Sequence, residues 1–124
     1  MFSKRALTKI SDHLWEIPKT YRPDMRVPAR IYSDEKMLEE ILKDRSLEQL
    51  VNTATLPGVY KYALAMPDIH EGYVAPIGGV FATDVENDGI ISPGAIGYDI
   101  NCGIRLLKTE VTYQEIKDKL EDIT

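Results

Sequence analysis

The chain has 124 residues, 44% of them hydrophobic and 28% charged, enough for one ordinary domain with a buried core. A net charge of -5 argues against a generally cationic nucleic-acid coat or a membrane-surface protein, and no apolar run is long enough to span a bilayer. The single cysteine excludes an internal disulfide and, with no apolar signal region after Met1, reads as a cytoplasmic protein.

Charge is unevenly spread. The first 32 residues hold seven Lys or Arg against three Asp or Glu, a balance of +4, which leaves -9 for the remainder. The first predicted element is a short strand at Leu14–Ile17, stopped by Pro18. The stretch KTYRPDMRVPARIY follows, with Pro23 and Pro28 biasing their predecessors toward extended backbone. It reads as an extended arm carrying Lys19, Arg22, Arg26 and Arg30, interleaved with Tyr21 and Tyr32. Such an arm can track a phosphate backbone while a ring stacks on a base; the plainer alternative is a solvated edge segment.

Asp34 caps a predicted helix whose apolar positions are Met37, Leu38, Ile41 and Leu42. Ser46 with Gln49 is a capping-box pattern opening a second helix, with Leu47, Leu50, Val51 and Ala54 apolar, and Leu56-Pro57-Gly58 turns the chain. Residues 59–66 read as a strand entering the core, ended by Pro67. Residues 80–83 form a second strand, and the turn Glu86-Asn87-Asp88-Gly89 predicts a hairpin to a strand at Ile90-Ile91. Asp84, Glu86 and Asp88 lack the ligand series of a calcium loop and read as turn chemistry. Residues 104–111 resemble a strand leaving the core, and Thr112 with Glu115 opens a last helix expected to bury Ile116, Leu120 and Ile123. No Gly, Asn or Pro stops that helix, so the expectation is a chain cut short at its C-terminus. The fold class that follows is α+β, helices packed on a mainly antiparallel sheet in one domain over residues 1–124.

Residues 66–102 concentrate the chemistry. They hold His70, the only cysteine and six of the eight glycines, and reactive groups among glycines and prolines usually lie on loops. Asp68 and His70, two apart on extended backbone, face one side together, where a carboxylate can orient an imidazole or share a phosphate or metal with it. A hydrogen-bonded structural pair is the equal alternative, and Glu71 is read as solvated. The glycines at 72, 78 and 79 match neither a dinucleotide fingerprint nor a P-loop. Asp99 and Cys102, three apart with Asn101 between them, are two anions once ionised; a divalent cation resolves their repulsion and deprotonates the thiol. Two side chains make only part of a site, and thiolate alone points to zinc before manganese.

Taken together, MPDIHEGY, PIGG, ISPG and GYDINCGIRLL, with the earlier WEIP, MRVPARIY and ATLPG, resemble the signatures of the RtcB-type RNA ligases, in the family's order. The resemblance implies the N-terminal part of an RtcB-like mixed α/β ligase fold. It also implies a GTP- and manganese-dependent enzyme of tRNA splicing and RNA repair, joining a 3'-phosphate or 2',3'-cyclic phosphate end to a 5'-hydroxyl end. In that mechanism a histidine far downstream is guanylylated, GMP passes to the RNA 3'-phosphate, and the 5'-hydroxyl attacks. By motif, Asp99 would bind one manganese and Cys102 would bridge two. Asp68 matches an active-site aspartate, His70 lines the same pocket, and Asn101 contacts GMP or phosphate. Ala95 stands where the family commonly has a second glycine, and Val74-Ala75 replaces a glycine–aromatic pair; neither change removes a ligand. His13 matches no ligand and reads as a surface or structural histidine.

The implied remaining metal histidines, most guanine-binding groups and the nucleophile lie beyond Thr124, so the fragment alone is expected to be inactive. RNA is the expected partner, with room for an accessory activator protein. The competing readings are a noncatalytic RNA-binding or assembly module using residues 19–30 and, last, a small metal-dependent phosphoesterase.

Overall fold

In the computed structural model, which describes residues 2–97, 103, 105 and 107–123, a five-stranded sheet runs in the order β1-β2-β3-β4-β5. β1 (Thr8–Ser11) and β2 (Leu14–Ile17) form an antiparallel hairpin, and β2 pairs antiparallel with β3 (Ala29–Tyr32). β3 runs parallel to β4 (Val59–His70), in register Ala29 with Ala63 and Ile31 with Ala65, and β5 (Ile77–Thr83) returns antiparallel along β4. The α+β expectation therefore holds, with one parallel pair among antiparallel neighbours.

That parallel pair requires a crossover, supplied by α1 (Glu35–Ile41) and α2 (Ser46–Thr53). α1 starts as expected: Asp34 Oδ1 accepts from the Met37 N–H at 2.8 Å. α2 starts differently, with Arg45 at the cap and Ser46 already helical; the carboxylate that receives the Ser46 N–H, at 2.8 Å, is Asp44. The helices bury Leu38, Ile41, Leu47, Leu50 and Val51 on one face of the sheet, against Trp15, Ile17, Ala29, Ile31, Ala63 and Ala65. Each large aliphatic side chain so buried contributes about 1.5–3 kcal/mol. The Trp15 indole N–H donates to the Ser33 carbonyl at 3.1 Å, so the largest ring of this core leaves no polar atom unsatisfied.

Several sequence expectations are corrected. Residues 19–32 are neither a free arm nor an edge segment: Met25, Val27, Ala29 and Ile31 are buried, and β3 lies inside the sheet. β4 does not stop at Pro67 but continues to His70. The β4–β5 register shifts between Ala65 and His70, so proline's missing N–H costs no regular ladder bond there. The turn after β5 is a short 3-10 turn, Val85–Asn87, and Ile90-Ile91 form no strand; Thr83 Oγ1 donates to the Ile90 carbonyl at 2.8 Å instead. Asp84 serves this turn, accepting from the Glu86 N–H and the Asn87 amide at 3.1 and 2.7 Å.

Among the described residues of 104–111 there is no strand. The Thr112–Glu115 capping box does form, with the Thr112 N–H and hydroxyl donating to Glu115 at 2.8 and 2.7 Å, and opens α3 (Tyr113–Ile116). A 3-10 turn at Lys117–Lys119 leads to α4 (Leu120–Ile123). The expected burial fails: Ile116 is half-buried, and Leu120 and Ile123 are exposed. Among the described residues, no helix is long and apolar enough to cross a membrane.

Candidate active site

The sheet delivers Asp68 and His70 at the far end of β4, on either side of buried Ile69. Both line a cleft of about 390 Å³ between this strand end and α1, with Met37, Glu40, Ile41 and Asp44 on the opposite wall. The expectation that they share one site-facing position is met, but their bond is not carboxylate to imidazole. His70 Nδ1 lies 2.8 Å from the Asp68 main-chain carbonyl. A carbonyl only accepts, so Nδ1 carries the proton and Nε2 is left for a ligand. The Asp68 carboxylate is thereby free of the imidazole.

What fixes the carboxylate's surroundings is the glycine pair of PIGG. Gly78 has φ +72°, and a Cβ there would lie 2.7 Å from Asp68 Oδ1 and 2.9 Å from the Ile69 nitrogen. Only glycine takes that conformation without strain and lets β5 approach the strand carrying Asp68 this closely. A second cleft, about 120 Å³, lies between residues 73–79 and 94–97, with the 3-10 turn Pro93–Ala95 of ISPG at its rim. Ala95 and Val74-Ala75, the departures from the family pattern, line this same cleft.

Beyond Gly97 come Asp99, Asn101 and Cys102, the predicted metal and nucleotide residues; all three lie outside the described residues. Among the described residues no three His, Cys, Asp or Glu side chains are grouped to hold a metal ion.

Two residues that sequence reasoning passed over stand behind the site. Asp44 Oδ2 accepts from the Glu71 N–H at 2.9 Å, so Glu71, read as merely solvated, is tied through its backbone. Gln49, read as half of a capping box, instead reaches the loop: its Oε1 accepts from the Gly72 N–H at 2.9 Å and its Nε2 donates to the Gly72 carbonyl at 2.8 Å. Partial burial pushes the Asp44 carboxyl up. The adjacent Ser46 hydroxyl, hydrogen bonds from the Ser46 N–H and the Glu71 N–H, and the nearby His70 outweigh it and hold the group below the usual carboxylate range. The available signal was that Asp44 and Gln49 flank a helix start, a position from which a polar side chain reaches either its own helix or a neighbouring loop.

The four basic residues of 19–30 are mostly engaged within the chain. Arg22 donates to Asp24 at 2.6 Å and to Asn52 at 2.9 Å, and Arg26 donates to the Thr55 carbonyl at 3.1 Å. Arg30 pairs with Glu16 at 3.0 Å on the sheet face away from the helices, its guanidinium 3.8 Å above the Tyr62 ring. Lys19 is exposed.

Comparison with known proteins gives this geometry a family. The chain is 49% identical over 117 residues to the tRNA-splicing ligase RtcB of Pyrobaculum aerophilum, covering 94% of this chain and 24% of that protein. It is 50% identical over 117 residues to that of Thermococcus kodakarensis, with the same coverages. The Methanococcus maripaludis protein is 48% identical over 120 residues, 97% of this chain and 25% of its own length. The chain thus spans about a quarter of the length of the curated relatives it matches. The family profile described as tRNA-splicing ligase RtcB matches residues 49–124, a span that takes in Asp68, His70, the glycine pair and both loops of the second cleft, and the chain belongs to that family.

Proposed function

We propose that this chain carries the first part of the active site of an RNA ligase that joins a 3'-phosphate or 2',3'-cyclic phosphate end to a 5'-hydroxyl end, in tRNA splicing or RNA repair, using GTP and two manganese ions. The observation that carries the reading is the convergence of Asp68 and His70 in one cleft, in a chain of the RtcB family.

The chain's own residues suit an RNA end. With Nδ1–H committed to the Asp68 carbonyl, a neutral His70 presents Nε2 as an acceptor for a hydroxyl, and a protonated His70 presents it as a donor to a phosphate oxygen. The Asp68 carboxylate, free of the imidazole, is an acceptor for the second partner. Asp99 and Cys102 would hold manganese: a carboxylate and a thiolate suit a divalent cation in charge. When bound, the ions would neutralise phosphate charge and orient attacking and leaving oxygens. Asn101 offers an amide for GMP or phosphate. In this reading the remaining metal ligands and the guanylylated histidine would come from the part of the relatives' length that this chain does not span. RNA is the partner in this reading, and the cytoplasm its setting.

The test is Cys102→Ala in the complete ligase polypeptide, read by manganese binding and by transfer of labelled GMP. Loss of both is expected. Guanylylation at the wild-type rate would overturn the assignment.

A further inference from the structure

We propose that Gln49, assisted by Asp44, is a positioning residue that sets the backbone leaving β4 and thereby the orientation of His70 and Asp68. The proposal rests on the reading of those two as the groups that meet the RNA end.

β4 keeps its sheet partner only as far as His70, which pairs with Ile77. The next two amides have no strand to bond. The Glu71 N–H goes to Asp44 at 2.9 Å, and Gly72 offers both its N–H and its carbonyl to the one side-chain amide of Gln49, at 2.9 and 2.8 Å. A carboxamide has the donor and acceptor of a peptide group, so Gln49 substitutes for one residue of a missing neighbouring strand. Its side chain sits on α2, with the residue 8% exposed, where water does not replace lost bonds freely. Helix α2 is held by fully buried Leu47 and Leu50, so the clamp is anchored to the core rather than to a loop.

The consequence reaches the imidazole through the backbone. His70 Nδ1 bonds the Asp68 carbonyl two residues back, a contact that depends on the dihedrals of the 68–70 segment. Clamping Glu71 and Gly72 fixes the exit of that segment, while the Ile77 pairing fixes His70 itself. Without the clamp the exit is free, and the Nδ1–H tautomer loses its support. Gln49 touches neither His70 nor any reacting atom, so its role is placement. Close packing at Gly72 explains why the residue itself is small: a Cβ there would meet the Ala75 carbonyl oxygen at 2.2 Å, so the loop folds tightly over the clamp.

The test uses Gln49→Leu, which keeps bulk and removes both bonds, and Gln49→Glu, which keeps the acceptor for the Gly72 N–H but removes the donor. Val51→Ala, on the same helix, serves as a general destabilisation control. Two readouts are taken by NMR on the chain: the His70 ring nitrogen shifts, which report the tautomer, and amide exchange at Gly72 relative to Ala63 and Ala65 at the centre of β4. In Gln49→Leu, Gly72 exchange is expected to quicken by about 10-fold or more, as loss of one buried hydrogen bond dictates. Ala63 and Ala65 should stay near wild type, and His70 should shift toward a mixture of tautomers. Should the Leu variant fail to fold, Gln49→Glu carries the test: Gly72 stays protected while the His70 shifts move. An unchanged His70 spectrum, or Gly72 and Ala65 accelerating in parallel as in Val51→Ala, overturns the proposal. Neither readout involves RNA, so failure of the ligase reading appears separately, as normal GMP transfer by Cys102→Ala.

Discussion

Replacing Gly78 by alanine probes the link between fold and site most directly. Two costs add. At φ +72° a non-glycine residue is disfavoured by roughly 1–2 kcal/mol. The added methyl would also sit 2.9 Å from the Ile69 nitrogen and 3.0 Å from its Cα, backbone atoms that cannot turn aside, and such overpacking costs roughly 1–3 kcal/mol. The stiffer unfolded chain returns about 0.4–1 kcal/mol. The net loss is therefore about 1–5 kcal/mol, which for a domain of this size lowers the melting temperature by roughly 4–20 °C. The third close atom, Asp68 Oδ1 at 2.7 Å, can rotate away, so the Asp68 side chain should leave its position even where the fold survives. Thermal unfolding by circular dichroism measures the first effect and NMR signals of Asp68 and Ile69 the second. Gly97→Ala is the control, because a Cβ at Gly97 meets nothing within 4 Å. A Gly78→Ala protein melting within about 2 °C of wild type, with Asp68 signals unmoved, would refute the close-approach argument.

Asp44 and Arg30 give two further tests. Because the folded protein holds the Asp44 carboxyl below its ordinary value, its contribution is complete above about pH 4 and is lost as pH falls through the depressed value. Urea unfolding of wild type and Asp44→Asn should therefore differ at pH 6 and draw together as pH falls below the ordinary carboxylate range; a constant gap down to acid pH would argue against the linkage. Arg30→Met removes both the Glu16 ion pair and the contact with the Tyr62 ring, at an expected cost of about 1–2 kcal/mol. Arg30→Lys should recover less than half, since an ammonium cannot lie flat on the ring, and full recovery would show that charge alone matters.

Local signals in the sequence translated well where the partner lay within a few residues. Asp34 capping Met37 and Thr112 exchanging bonds with Glu115 are contacts a reader can place without a fold. The acidic turn at Asp84 was legible for the same reason. β1 was missed because all four of its residues are exposed, leaving no alternation to read; only pairing with β2 defines it. Pro67 misled because its meaning depends on whether the neighbouring strand needs its N–H, and there the ladder is irregular. Gln49 had two chemically equal destinations, and the nearer one was chosen. The last helix was expected in one piece with Ile116, Leu120 and Ile123 buried; a 3-10 turn divides it, and periodicity says which side is apolar, not what covers it, so Ile123 remains exposed. That Asp68 and His70 line one cleft was legible from their spacing, while the carbonyl that holds the imidazole is a backbone atom invisible to any residue pattern.

The single parallel pairing of β3 with β4 sets an order of events during folding. Two residues join β1 to β2 and the eleven of 18–28 join β2 to β3, whereas Ala29 meets Ala63, 34 positions later. Closing a loop of that length costs about 3 kcal/mol of chain entropy beyond a constant, before any contact across it compensates. The compensation comes from α1 and α2, whose buried leucines and Ile41 bridge the two strands. The expected sequence is an early β1–β2–β3 meander, then docking of the crossover, then β4. Kinetics of conservative core variants check this: Ile17→Val should mainly slow folding, and Ile69→Val should mainly speed unfolding, with the reverse pattern excluding the order. On this order Asp68 and His70, at the distal end of β4, are assembled last, so a nascent chain presents no cleft beside them until its core has closed.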